Sequence, residues 1–275
     1  YTLESIEQFN ILLELMKDSD RKVKILPRLT SGNQFGIDEN ELVKLIKDIQ
    51  IDNHFELCGI HYFSGTQKKN HEVIKREIDE IDLFCKRVKK ETGVLIDTIE
   101  YGPGMFVDYF TNQEQDYEMV EFLSELLAQK EEYKFVIELG RYIAATCGTY
   151  VTSVVDIKCN MGKKYCLVDG GINHITYYGQ MLGLKVPRVE HIRQNIEEEG
   201  VEESFTVCGA LCTVHDVLLR DYAMQTPSVG DELLFKNAGA YSITEASYLF
   251  LSRELPAVLL KNKNKEIQIL RERMS

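Results

Sequence analysis

Apolar residues in the first half of the chain alternate between helical and strand spacing. Between Leu3 and Met16 they recur every three or four residues, as in an amphipathic helix, and the run 23–29 that follows is mostly apolar, as in a buried strand. Further helices are predicted at 39–49, 70–92 and 118–132, and further strands at 56–63, 98–102 and 134–140. The strands begin roughly 35 residues apart, which predicts a βα repeat with a parallel sheet or barrel over residues 1–145.

The pattern changes in the second half of the chain. Short β-type runs separated by turns lie at 148–158, 164–171, 204–209, 231–239, 256–261 and 266–272. They predict a second, largely antiparallel β-domain over residues 146–275. The acidic stretch 185–203 is predicted to be an exposed loop or short helix.

Four βα units are half of the eight that close a (β/α)8 barrel. The first residue is Tyr1 and a helical pattern follows at once, so we expect the C-terminal half of a barrel whose N-terminal half is absent from this chain. The alternative is an open four-stranded sheet, whose two long edges would need cover.

Composition narrows the possible functions. The 275 residues carry a net charge of −12, which argues against nucleic acid as a partner. No apolar run is long enough for a membrane helix, and no signal peptide is visible. The seven cysteines are odd in number and scattered without a disulfide framework, so we expect reduced thiols in the cytoplasm.

Glycine-rich turns follow each predicted strand of the first half, at 31–38, 63–67, 102–104 and 140–142. Ligands of α/β sheets lie at the carboxyl ends of the strands, where glycine lets backbone N–H groups approach a phosphate. These turns, with Arg141, predict an anion pocket. Glu138 ends an apolar strand there and needs a partner, which is either Arg141 or a cationic ring nitrogen of a cofactor.

The segment C-G-A-L-C-T-V-H-D at 208–216 places two cysteines, a histidine and an aspartate close together. Zinc would require second partners at a standard spacing, and none is present, so we expect no metal. Cys208 fits a small core residue, and His215 fits a surface position.

Several motifs, in order, resemble the fold-type III pyridoxal-phosphate decarboxylases, the family of diaminopimelate and ornithine decarboxylases. "VIELGRYIAATCG" is similar to the family's E-P-G-R-Y element, "GIHYFSGTQ" to its G-x-H-x-H-x-G-S-Q strand, and "IEYGPGMFVDY" to its G-G-G-F phosphate loop. "RLTSGNQFGI", "VDGGINH", "CGALCTVHDVL" and "GDELLFKNAGAY" match further elements. The resemblance spans the chain. It implies an alanine-racemase-like barrel followed by a β-domain, and pyridoxal 5'-phosphate as the cofactor.

The resemblance implies a role for each matching residue. Glu138 would face the pyridine nitrogen and keep it protonated, which makes the ring an electron sink. The cofactor phosphate would contact Gly102, Gly104, Arg141, Tyr241 and Thr66. Arg28 would lie beneath the ring, and His61 and Phe63 occupy the two histidine positions of the strand motif.

In the same family Cys212 reaches into the active site of the neighbouring subunit of a homodimer. Its implied role is the general acid that protonates the carbon left after CO2 departs. Asp216 matches the aspartate that supports the dimer interface, and Thr213 takes the position that reads the substrate's distal end.

The sequence departs from the family pattern at four places. The stretch with the Schiff-base lysine has no counterpart, Phe63 replaces the ring-stacking histidine, Thr213 replaces an acidic residue, and Leu139 and Gln34 replace a proline and a lysine. A neutral Thr213 does not offset the desolvation of a distal ammonium. This disfavours lysine, ornithine and diaminopimelate, and it points to a branch that acts on atypical amino acids, some of them bound to carrier proteins.

Two other functions remain open at this stage. An amino-acid racemase of the same fold needs two opposed bases, and the cysteine motif does not supply them. A non-catalytic dimerisation or regulatory relative is consistent with the missing lysine, although it gives no reason to retain Glu138, Arg141, Cys212 and Tyr241 together.

Overall fold

The computed structural model describes residues 1–111, 117–194 and 201–274. These residues form two compact units. The first contains described residues 1–106 and 117–142, and the second contains described residues 107–111, 143–194 and 201–274. The predicted boundary at residue 145 therefore leaves out one segment, because the chain enters the second unit after residue 106 and then returns to the first.

Six parallel strand segments form the sheet part of the first unit. They are β1 (Thr2–Leu3), β2 (Val23–Pro27), β3 (Phe55–Leu57), β4 (Ile60–Phe63), β5 (Thr98–Gly102) and β6 (Lys134–Ile137). The orders β1-β2-β3 and β4-β5-β6 are linked by a parallel bridge between Arg28 and His61. Each strand after β1 starts within two residues of a predicted strand start, except that the predicted strand 56–63 is split into β3 and β4.

Gly59 separates β3 from β4 for a steric reason. Its φ is +138°, and a Cβ at this position would lie 2.2 Å from the carbonyl oxygen of Thr98. Only glycine avoids both the disfavoured backbone conformation and this overlap. The strand is therefore interrupted where its partner changes from β2 to β5.

The helices follow the strands as the periodicity predicts. They are α1 (Ile6–Met16), α2 (Glu39–Ile51), α3 (His71–Thr92), α4 (Glu118–Ala128) and the short α5 (Gly140–Ala144), and a 3-10 turn at Ala145–Cys147 follows. Side chains of Ser5, Asp38 and Asn70 cap the first three helices. The prediction that the first helix begins at Leu3 is wrong, because Leu3 belongs to β1 and the Ser5 cap sets the start at Ile6.

Helix α3 buries one face against the sheet. Ile74, Ile78, Ile81 and Val88 are at most 1% exposed, at the spacing expected for an amphipathic helix. The strand residues Ile25, Ile60 and Ile99 are equally buried and belong to the same apolar core.

The second unit is built on a six-stranded sheet of order β11-β10-β8-β7-β12-β9. Its strands are β7 (Thr149–Asn160), β8 (Lys163–Val168), β9 (Val189–Ile192), β10 (Glu202–Cys208), β11 (Val217–Gln225) and β12 (Glu232–Lys236). All neighbours are antiparallel except β8 and β10. A separate hairpin pairs β13 (Val258–Lys261) with β14 (Ile267–Arg271), and a 3-10 turn lies at Phe250–Ser252. The prediction of an α/β part followed by a largely antiparallel part is confirmed.

The structure corrects the prediction of an exposed loop or short helix over residues 185–203. Residues Val189–Ile192 form edge strand β9, paired with β12, rather than a loop or helix. His191 alternates inward, and its Nε2 lies 2.9 Å from a carboxylate oxygen of buried Asp231. Residues 195–200 of the stretch lie outside the described residues.

Among the described helices, none combines the length and the apolar character that crossing a bilayer requires.

Candidate active site

The carboxyl ends of β4, β5 and β6 bring together a histidine and two glutamates. Nε2 of His61 lies 3.2 Å from Oε2 of Glu138, and the ligand atoms of His61, Glu100 and Glu138 all lie within 4.8 Å of one another. His61 is buried, whereas the Glu138 side chain is 46% exposed. Glu138 therefore has a histidine and a second carboxyl group as neighbours, and one side of it remains open to a ligand.

Glu138 affects the ionisation of Glu100. Burial, and then the hydrogen bond with Glu138 and the charge of Glu138, raise the pKa of Glu100, and the charge of His61 opposes this. Glu100 was not predicted from the sequence, because a single glutamate in a half-exposed strand position has no distinguishing signal.

His61, Glu100 and Glu138 lie close enough together to ligate one metal ion, and no other described residues form such a group. His61 Nε2 contacts Glu138 within this cluster at 3.2 Å. Cys208, Cys212 and His215 do not form such a group in the described part of the chain.

Phe63 lies directly beside Gly102, its partner in the register of β4 and β5. A Cβ on Gly102 would lie 2.6 Å from a ring carbon of Phe63 and 3.2 Å from a carboxylate oxygen of Glu138. Glycine is needed here so that the ring and the carboxylate can both approach the strand end. The sequence prediction that Phe63 and Glu138 belong to one site is consistent with this geometry.

Gly104 brings the loop after β5 against the loop after β4. Its φ is +59°, and a Cβ would lie 1.9 Å from the carbonyl oxygen of Gly65 and 3.0 Å from Cα of Thr66. The two glycine-containing loops therefore touch backbone to backbone. Only a residue without a side chain allows this close approach at Gly104.

Arg28 is buried beneath this region and is held by its own unit. Its guanidinium donates to Glu4 Oε1 at 2.7 Å and to the Phe63 carbonyl at 2.9 Å. It also lies 4.9 Å from the ring centre of Phe35 and 5.8 Å from that of Phe63. Two buried nitrogen atoms, Nε of Arg28 and Nδ1 of His61, have no hydrogen-bond partner among the described residues. Arg141, on α5, is also buried.

Cys212 lies exposed in the turn between β10 and β11 of the second unit. Asp216 fixes that turn, because its buried carboxylate accepts backbone N–H bonds from Ile172 and Leu211, both at 2.8 Å. A Cβ on Gly171 or Gly209 would overlap this carboxylate, at 2.6 Å and 2.3 Å. Burial raises the pKa of Asp216, and the two backbone bonds partly offset this.

The hydroxyl of Thr213 is engaged within the same turn. It accepts from the backbone N–H of His215 at 3.3 Å and lies 3.3 Å from Nδ1 of that residue. Tyr241, also in the second unit, has a φ of +61°, which is unusual for a residue with a side chain. Its carbonyl accepts from the backbone of Glu245 at 2.7 Å.

A parallel βα unit with glycine-lined strand ends and a carboxylate, followed by a separate β unit with an exposed cysteine turn, is the arrangement of a fold-type III pyridoxal-phosphate enzyme. The model of the pyridoxal binding domain of pyridoxal-dependent decarboxylases matches residues 3–145, and the model of their C-terminal sheet domain matches residues 94–239. The chain belongs to the pyridoxal-dependent decarboxylase family, whose members are carboxy-lyases that act on amino acids.

Individual relatives support this assignment. The chain is 25% identical to an L-glutamyl-[BtrI acyl-carrier protein] decarboxylase of Niallia circulans, over 98% of this chain and 68% of that protein. It is 27% identical to 2-[(L-alanin-3-ylcarbamoyl)methyl]-2-hydroxybutanedioate decarboxylase of Staphylococcus aureus, over 96% and 72%. It is 29% identical to diaminopimelate decarboxylase of Methanothermobacter thermautotrophicus, over 89% and 58%.

Solved structures share the fold. Diaminopimelate decarboxylase from Helicobacter pylori, complexed with L-lysine, superposes with a TM-score of 0.85 at 21% identity, covering 100% of this chain and 70% of that one. The enzyme from M. jannaschii, also in complex with L-lysine, gives 0.85 at 22% identity, covering 100% and 66%.

The residues present are consistent with pyridoxal phosphate. Arg28 and His61 each retain a buried nitrogen without a hydrogen-bond partner among the described residues, and the carboxylate of Glu138 is half exposed beside them. When bound, pyridoxal phosphate supplies an electron sink for the electron pair that remains after CO2 leaves. Glu138 is the group of this chain that could keep a ring nitrogen protonated, and the contact with His61 orients its carboxylate.

Proposed function

We propose that this decarboxylase acts on an amino acid whose distal end carries no free ammonium, and that a carrier protein presents this substrate. The observation that supports the proposal is the neutral turn at Thr213. Its hydroxyl is engaged with His215, and the carboxylate of the same turn, Asp216, is buried with both oxygens bonded to backbone N–H groups. The turn therefore offers no free negative charge to a cationic substrate end.

The charge at the distal end of the substrate decides which substrates such a neutral turn can accept. An ammonium that leaves water loses hydration free energy on the order of several kcal/mol. Only a nearby carboxylate can recover this loss. A substrate whose distal group is neutral, or is a thioester, needs no such partner. The similarity to an acyl-carrier-protein-dependent glutamyl decarboxylase over 98% of the chain supports the carrier-bound form.

We assign the remaining roles from the same resemblance. Glu138 faces the pyridine nitrogen, and Phe63 stacks on the ring in place of a histidine. The phosphate is bound by Gly102, Gly104, Thr66 and Arg141, and Arg28 supports the ring from beneath. Cys212 donates the proton that the product carbon receives. The parallel strand segments β1 to β6 are the C-terminal half of a (β/α)8 barrel.

We also propose a homodimer, in which Cys212 serves the site of the partner subunit. Asp216 contributes by fixing the turn that carries Cys212, since its carboxylate is used within its own chain. The seven free thiols are consistent with a reducing, cytoplasmic location.

The test is a substrate panel in which CO2 release is measured. L-glutamate attached as a thioester to a carrier protein or to pantetheine is compared with free L-glutamate, L-ornithine and meso-diaminopimelate. The proposal requires the highest kcat/KM for a substrate without a distal ammonium. It also requires that Thr213→Glu shift kcat/KM towards L-ornithine or diaminopimelate, with Thr213→Gln as the neutral control. A preference of the unaltered protein for diaminopimelate would exclude the proposed substrate class.

A further inference from the structure

Glu77 of helix α3 is a buried carboxylate that none of the roles above uses. Its side chain is 6% exposed. Oε1 accepts a hydrogen bond from the Ser64 hydroxyl, and Oε2 accepts from Lys68 Nζ at 2.8 Å and from the Tyr101 hydroxyl at 2.6 Å. A buried carboxylate is tolerated only when it is paired and hydrogen-bonded, and these three donors meet that requirement.

Two of the donors mark the ends of one short loop, residues 64–68, which follows β4 and contains Thr66. The same loop is joined to the loop after β5. The backbone N–H of Lys68 donates to the carbonyl of Gly104 at 2.9 Å, and the N–H of Phe106 donates to the carbonyl of Lys68 at 3.1 Å. Glu77 thus anchors both ends of the 64–68 loop and, through Tyr101, strand β5 beside it.

The backbone of this loop needs such support. Gly65 has a φ of +142°, and Gln67 has a φ of +61°, which a residue with a side chain rarely adopts. Backbone conformations of this kind persist only when the surrounding structure enforces them. The carbonyl of Gly65 and Cα of Thr66 are the atoms that a Cβ on Gly104 would overlap, so a small shift of the loop would change the space at Gly104.

The charges of the network are balanced locally. Burial lowers the pKa of Lys68, and the hydrogen bond and charge of Glu77 oppose this. Burial, and then the hydrogen bond and charge of Glu77, also raise the pKa of the Tyr101 hydroxyl, which keeps this hydroxyl a donor. Loss of the carboxylate would leave a buried ammonium without its partner.

We infer that Glu77 is a positioning residue for cofactor phosphate binding. By holding Ser64 and Lys68, it sets the arrangement of Thr66 and Gly104 that receives the phosphate. This inference rests on the proposed assignment of Thr66 and Gly104 to the phosphate.

The experiment compares the affinities for pyridoxal phosphate and for pyridoxal, which lacks the phosphate, in the protein freed of cofactor. Both are measured by equilibrium absorbance titration. We expect Glu77→Gln to reduce the ratio of the two affinities about tenfold or more, since a misplaced loop loses contacts to the phosphate alone. Ser64→Ala, which frees only one end of the loop, should reduce the ratio less.

Asp82→Asn is the matched control. Asp82 is equally buried on the same helix and accepts from Lys130, Lys86 and Tyr133 at 2.7, 2.9 and 2.8 Å, but these partners lie outside the 64–68 loop. It should leave the ratio unchanged even if it lowers the melting temperature. The double variant Glu77→Gln/Lys68→Met removes the unpaired ammonium, so the test remains possible if Glu77→Gln alone folds poorly.

The results distinguish a wrong phosphate site from a wrong role of Glu77. If pyridoxal phosphate binds the unaltered protein no better than pyridoxal, the assigned phosphate site itself is wrong. If the unaltered protein prefers the phosphate and the Glu77 variants retain that preference, or lose both affinities equally, Glu77 has only a structural role and the inference is overturned.

Discussion

At the scale of single residues, His61, Glu100 and Glu138 form a polar cluster at the strand ends of the first unit. His61 lies 3.2 Å from the carboxylate of Glu138, and the carboxyl group of Glu100 lies beside them. Burial and the neighbouring Glu138 raise the pKa of Glu100, which makes Glu100 the member of the cluster whose ionisation a substitution can test.

Glu100→Gln should change how stability depends on pH in the protein without cofactor. The pKa of Glu100 is raised in the folded state by burial and by Glu138, so the folded state binds this proton more tightly than the unfolded state. The free energy of unfolding should therefore fall as pH rises from the ordinary value of 4.5 through the raised value. Glutamine does not titrate, so the stability of the variant relative to the unaltered protein should increase with pH over that window. Chemical denaturation at several pH values checks this, and a pH-independent difference would contradict it.

Cys212→Ala should slow product formation or divert it to side products, because the carbon that lost CO2 would lack its proton donor. Chromatographic quantification of the amine and of by-products measures the change. Cys159→Ala replaces another exposed thiol of the second unit and should keep the normal product ratio. Unchanged turnover and product ratio in the Cys212 variant would remove this residue from the reaction.

At the level of residues, the motifs named positions whose strand ends are clear. The structure places Glu138, His61, Phe63 and Gly102 close together, and their roles stay predictions. Glu100 and Glu77 were missed, because each looks like an ordinary polar position of a strand or helix. Their roles depend on side chains from neighbouring elements, and periodicity along one element carries no information about those.

The turn between β10 and β11 shows how one buried side chain can organise an element. Asp216 satisfies two backbone N–H groups and lies in space that two glycines leave open. The turn has no regular secondary structure, so this carboxylate replaces the hydrogen bonds that a strand or helix would supply.

Asp216→Asn should destabilise the protein by about 1–3 kcal/mol, because the amide nitrogen cannot accept a bond and one buried N–H loses its partner. Urea denaturation gives the difference in the free energy of unfolding. Asp221→Asn is the control, since Asp221 is exposed at a positive φ that asparagine tolerates, and it should change stability by less than about 0.5 kcal/mol. Equal effects of the two substitutions would mean that the carboxylate of Asp216 does not fix the turn.

At the scale of elements, hydrophobic periodicity predicted the long helices and strand β7, but it missed the nine-residue strand β11 as well as the short edge strands β1 and β9. Helix α3 and strand β7 have enough turns or alternations to give an unambiguous pattern. Strands β1 and β9 have only two and four residues, and β9 lies in an acidic stretch. Their pairing is decided by a neighbouring strand that is distant in sequence, which local propensity cannot reveal.

For the whole molecule, the chain's βα repeat and its later β-rich runs predicted two different architectures. They could not predict that residues 107–111 belong with the second unit, because this excursion carries no periodic signal. Tertiary contacts anchor this segment: the ring of buried Tyr109 lies 5.3 Å from that of Tyr177, and the carbonyls of Asp108 and Tyr109 accept hydrogen bonds from Asn237 and Arg188.

The proposed dimer can be tested by mixing two inactive variants. If Cys212 serves the partner's site, a mixed dimer of Cys212→Ala and Glu138→Gln contains one site in which both residues are unaltered. Random reassociation of equal amounts should then restore about a quarter of the normal activity. Each variant mixed with itself should remain at its own low rate. No restoration, despite mass-spectrometric detection of the mixed dimer, would show that Cys212 acts within its own subunit.

Incubation with pyridoxal phosphate and the substrate panel in deuterated water shows whether the protein is a pyridoxal-phosphate-dependent amino-acid decarboxylase, when CO2 and the product are measured together. Decarboxylation should release CO2 in an amount equal to that of an amine that carries one deuterium on the carbon that lost the carboxylate. Exchange of the α-hydrogen with loss of stereochemistry, and without CO2, would instead identify a racemase and contradict the decarboxylase assignment.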